Sequence, residues 1–65
     1  MNNQYVQDNS KYWLELNGGY VGSFPDKVKA LNFYRSIDSR KTVIVQAALW
    51  LGDSNKPLER VYPIR

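Results

Sequence analysis

Sixty-five residues with a net charge of +3 make one domain at most, near the size where a single core only just outweighs chain entropy. With 43% hydrophobic residues and two Trp, five Tyr and two Phe, the composition excludes a chain disordered throughout. Cysteine and histidine are both absent, which removes a disulfide framework, thiolate zinc sites, the commonest general base and the Cys/His and Ser/His nucleophile pairs.

Charge is unevenly placed. Up to Ser39 the acidic and basic residues balance, and the whole excess comes from Arg40, Lys41, Lys56, Arg60 and Arg65 set against Asp53 and Glu59. Such a tilt suits nucleic acid or an acidic partner, and equally suits simple solubility.

Residues 1–10 are polar and read as a loose arm before a single domain over 11–65. The opening MNNQYVQDNSK lacks the apolar run of an export signal, so a cytoplasmic location is expected. No stretch approaches the roughly 20 apolar residues of a membrane helix.

From Lys11 the sequence KYWLELNGGYVGSF alternates apolar and polar residues around Asn17-Gly18-Gly19. Asn-Gly and Gly-Gly supply the positive φ angles of tight hairpin turns, so a β-hairpin is expected. Two registers are open: an Asn17-Gly18 loop sets Leu14 opposite Val21, and a Gly18-Gly19 loop sets Leu16 there. In either, Leu14, Leu16 and Val21 share one face and Trp13, Glu15 and Tyr20 the other.

Ser23-Phe24-Pro25-Asp26 matches a capping box with Ser23 at the helix start. A helix then runs to about Ile37, with Val28, Ala30, Leu31, Tyr34 and Ile37 on its apolar side.

Thr42 to Leu51, TVIVQAALWL, reads as the central buried strand, with Val43, Val45, Ala47, Leu49 and Leu51 turned to the helix. A helix across Ala47 to Leu51 is the competing reading. Gly52 to Pro57 is a turn cluster, and Leu58 to Arg65 returns as an antiparallel edge strand because Pro63 lacks a backbone donor. The expected architecture is α+β: a two-layer ββαββ sandwich, one helix on a four-stranded, mainly antiparallel sheet.

No pair of acids is expected to share a pocket. The six carboxylates are scattered, with Asp26 at a cap and Asp53 in a turn, so the expectation is a protein that is not an enzyme and carries no cofactor, metal or evident small-molecule substrate. The glycines fit neither G-x-G-x-x-G nor a P-loop.

What the fold leaves over is the sheet face away from the helix, which alternation should make polar. Instead Trp13, Tyr20, Ile44, Ala48 and Trp50 map there. Exposed aromatic patches mark interfaces, so the expected function is a small protein-binding or self-associating module anchored by Trp13, Tyr20, Ile44 and Trp50. The alternative is nucleic-acid binding, with the same rings stacking bases while Lys41 and Arg60, beside Arg40 and Arg65, contact phosphates.

With its hairpin, Gly22-Ser23-Phe24 and following helix, the segment from Tyr12 to Ala30 resembles three-stranded integrase-arm and AP2-type DNA-binding domains. That resemblance implies DNA read by basic residues of the sheet. It covers less than a third of the chain, and the first hairpin offers mainly Lys11, so no family is assigned from it.

Overall fold

The computed structural model describes residues 10–65; the expected arm lies, but for Ser10, outside the described residues. Its elements run β1 (Lys11–Leu16), β2 (Gly19–Phe24), α1 (Lys27–Arg35), β3 (Ala47–Gly52) and β4 (Pro57–Pro63). The four strands form one antiparallel sheet in the order β2-β1-β3-β4. This is the ββαββ α+β architecture read from the sequence.

Asn17 (φ 51°) and Gly18 (φ 88°) both take positive φ, and Leu16 pairs with Gly19. The two-residue Asn-Gly loop therefore sets the hairpin, and mirror-image turns of this kind match strand twist. The pairing then slips: Glu15 opposes Tyr20 while Leu14 opposes Gly22. Val21 is the extra residue of a β-bulge and does not join Leu14 and Leu16 on the helix face, as alternation alone had it. It is 49% exposed.

The same device recurs on the opposite edge. Leu49 and Trp50 pair with Tyr62 and Arg60, and Leu51 and Gly52 with Glu59 and Pro57, leaving Val61 and Leu58 as extra residues. Both are exposed aliphatics. Bulges and terminal prolines on β4 blunt an edge that would otherwise invite pairing with another chain.

The helix starts later than the capping-box spacing implies. Phe24 still pairs with Tyr12, so Ser23 belongs to β2, and the cap is Asp26, whose extended backbone and Oδ1 receive the Lys29 N–H at 2.8 Å. Ser36 closes the helix, its hydroxyl donating to the Phe33 carbonyl at 2.6 Å. Leu14, Ala30 and Leu49 are fully buried between helix and sheet, and Tyr12, Leu16, Phe24, Leu31, Tyr34 and Ile64 pack around them. Val28, assigned to the apolar side, is exposed; in the first turn of α1 it is Ala30 that is buried against the sheet.

The largest departure is at residues 42–46, which are not strand. β1 accompanies β3 only as far as the Leu16–Ala47 pair before turning away, and on the other side Ala47 already bonds Ile64 and Arg65. Residues 42–46, before Ala47, have no strand to pair with. Val43 and Val45, expected to face the helix, are consequently among the most exposed aliphatics of the chain.

That segment is held instead by Asn17. Its Oδ1 accepts the N–H groups of Val45 (2.8 Å) and Gln46 (3.1 Å), its Nδ2 donates to the Val43 carbonyl (2.7 Å), and its own N–H donates to the Gln46 carbonyl (2.9 Å). One turn residue thus fixes both the hairpin and the approach to β3. At the far end of β3, Gly52 is buried where a Cβ would overlap the Lys56 carbonyl oxygen and lie 2.6 Å from Pro57 Cα. Only glycine fits there.

Candidate binding face

Register places Trp13, Glu15 and Tyr20 on the sheet face away from the helix, with Ala48, Trp50 and Arg60 beside them: Trp13 pairs with Trp50, Glu15 with Tyr20 and Ala48, and Trp50 with Arg60. The three aromatic side chains form a chain of edge-to-face contacts. Tyr20 lies between the indoles, 6.3 Å from Trp13 at 78° and 5.6 Å from Trp50 at 88°. This is the favourable quadrupole geometry for neighbouring rings.

Each indole is also tethered by its N–H. Trp13 Nε1 donates to the Asp53 carbonyl in the β3–β4 turn at 2.9 Å, and Trp50 Nε1 donates to Glu15 Oε1 at 2.6 Å. Gln46 Nε2 donates to the other Glu15 oxygen at 3.0 Å. The methyl of Ala48 across from Glu15 leaves room for this carboxylate, which is 7% exposed. Glu15 is the polar centre around which the rings are set.

Tyr20 is 45% exposed, whereas both indoles are half-buried. The tryptophans therefore support the sheet as well as line the face. Of the other residues singled out, Arg60 is exposed on β4 next to Trp50. Lys41 is exposed in the turn that the Asp38 carbonyl closes by accepting the N–H groups of Lys41 and Thr42, away from the strands. Ile44 leaves the aromatic face altogether. It lies in the unpaired 42–46 segment and lines a cleft with Tyr34 and Ile37.

Two residues that organise the face were missed by the sequence reading, Gln46 and the acceptor role of Glu15. The available signal was an acid flanked by tryptophans on adjacent strands, where buried indole N–H groups need acceptors.

Asp53 and Asp38 have ordinary structural roles. Asp53 Oδ1 accepts the N–H groups of Asn55 and Lys56, which holds its carboxyl below the usual aspartate range. Asp38 is lowered in the same direction by the Arg40 backbone N–H and then by the Arg40 side chain. Among the described residues, no group of three or more Asp, Glu, His or Cys gathers as a metal site, and no helix is long and apolar enough to cross a membrane.

Comparison with protein-family models, with curated proteins and with solved structures returned no match. The functional reading therefore rests on the geometry of this face.

Proposed function

We propose that the protein is a binding module without chemistry of its own, which docks a protein surface through Trp13, Tyr20 and Trp50. The observation that carries this reading is the tethered aromatic chain on the side of the sheet opposite α1, which no described element covers. Aromatic side chains dominate interface energetics, and rings already fixed by their N–H bonds and by each other lose little further freedom on binding. The simplest partner with a matching surface is a second copy, since a two-fold contact lets one patch serve both sides.

The test is sedimentation of the unmodified chain and of Tyr20→Ala. Tyr20 is the informative position because its ring is the exposed one, so its removal perturbs folding least. Concentration-dependent association that Tyr20→Ala abolishes supports the reading.

A second reading has its own observation: Arg60 lies across from Trp50 on the same face, a pairing of guanidinium and ring that suits a single-stranded nucleic acid. Salt separates the two. Phosphate contacts weaken steeply between low and moderate salt, whereas apolar docking changes little.

A further inference from the structure

A second concave surface lies away from the aromatic face, and it does not depend on that face being an interface. The end of α1 and the irregular segment leading to β3 enclose a cleft of about 350 Å³, within the lower part of the range for small-molecule sites. Tyr34, Ile37 and Ile44 give it an apolar lining, and all three are half-buried. Its charged side chains are Arg35 and Arg65, and Ser39 and Thr42 add aliphatic hydroxyls. Among the described residues, no Asp or Glu side chain lines it.

The walls are held in place. The Asp38 carbonyl accepts the N–H groups of Lys41 and Thr42, and Asn17 fixes residues 43–46 from the other side. Arg65 Nη1 donates to the Ile44 carbonyl at 2.7 Å, so its guanidinium is positioned at the cleft. Arg35 Nη1 makes a longer bond, 3.3 Å, to Asn32 Oδ1.

A guanidinium has five N–H donors and no acceptor, so these single bonds leave most of each fork unengaged among the described residues. The one ion pair among those residues joins Arg40 to Asp38. Two arginines therefore line one apolar cleft, and among the described residues neither is ion-paired with an Asp or Glu side chain. The hydroxyls of Ser39 and Thr42 are further donors among the lining residues.

We propose that this cleft binds a small organic anion, a carboxylate or phosphate monoester joined to a compact apolar group. The head group would take the guanidinium forks of Arg35 and Arg65, which match planar or tetrahedral oxyanions. The apolar part would lie against Tyr34, Ile37 and Ile44. The proposal gives a role to Ile44 and to part of the C-terminal charge excess, neither of which the aromatic face uses.

The test is titration of the ¹⁵N-labelled full chain, followed by amide chemical shifts, with 3-phenylpropionate and phenyl phosphate as probes. Uncharged 3-phenylpropan-1-ol and inorganic phosphate are the controls. The expected result is saturable shifts confined to residues 34–44 and 65 for the organic anions. Binding of both controls is expected to be at least about tenfold weaker, as follows from losing a charge-assisted hydrogen bond or the apolar contact. Whichever anion binds more tightly identifies the head group.

Arg65→Gln and Arg35→Gln are each expected to weaken the tighter anion by about tenfold. Should Arg65→Gln lose native dispersion along with its tether to Ile44, Arg35→Gln, exposed on the helix, carries the test. Equal binding of the alcohol or of inorganic phosphate overturns the proposal. So do shifts centred elsewhere, unchanged affinity in a folded variant, or no saturable shift at low-millimolar concentrations of either anion.

Discussion

Glu15 on β1 accepts the indole N–H of Trp50 on β3 at 2.6 Å, while its other oxygen takes the Gln46 amide at 3.0 Å. A carboxylate 7% exposed is thus satisfied by two neutral donors, and it needs acceptor capacity on both oxygens. Glu15→Gln keeps the shape but turns an NH₂ group toward one of those donors. We expect it to lose about 1–3 kcal/mol, the penalty for an unsatisfied buried polar group, with a change in tryptophan emission. Urea denaturation followed by fluorescence measures both.

Leu49 and Val45 test where the core ends. Leu49 is fully buried and Val45 is 73% exposed, although the two sit on the same alternating set in the sequence. Leu49→Ala should cost about 2–5 kcal/mol, enough to unfold much of so small a domain. Val45→Ala should stay within about 0.5 kcal/mol. Thermal melts of the two variants decide the matter, and a large loss at Val45 would mean that residues 42–46 are paired after all.

The contrast between these two residues also marks what was legible in the sequence. Alternation and turn chemistry identified every strand, a tight turn within Asn17-Gly18-Gly19 and the shared face of Trp13, Glu15 and Tyr20, because those signals are local; which of the two loops forms was left open. Where β3 begins is not local: it depends on where β1 stops accompanying it, which is fixed by Asn17 turning the chain away. Alternation likewise carries no mark of a bulge, so Val21 was placed inside although the slip between Leu14 and Glu15 puts it outside. The grouping of Trp13, Tyr20 and Trp50 could be read from register parity. The burial of Glu15 could not, since it depends on diagonal reach across strands and on the small Ala48 opposite.

Asn17 combines two roles that one substitution separates. Gly accepts the φ of 51° that Asn17 adopts without penalty, but it removes all three side-chain bonds to residues 43–46. Asn17→Gly should therefore keep the hairpin while lowering stability by about 1–3 kcal/mol. Amide hydrogen exchange should accelerate at Val45 and Gln46 more than within the hairpin.

Acid sensitivity is expected from Asp53 and Asp38. Their folded-state pKa values lie below the ordinary aspartate value of 3.8, so the stability they contribute is present above that value and is lost as pH falls through the lowered one. Asp53→Asn retains an oxygen that can accept the Asn55 and Lys56 N–H groups. It should change stability little near pH ~7 and flatten part of the decline below pH ~4. Melting temperatures of the two chains across that range provide the check.

The proposed role of the aromatic face is tested most directly by sedimentation velocity over a concentration series of the unmodified chain. The expected result is a reversible monomer–dimer equilibrium that is little altered by salt and is lost in Tyr20→Ala, with the variant still folded by circular dichroism. Tyr20 contributes an exposed ring rather than core packing, so binding and folding should separate at this position. A chain that sediments as a monomer throughout the series, or a dimer that Tyr20→Ala leaves intact, would contradict docking through Trp13, Tyr20 and Trp50.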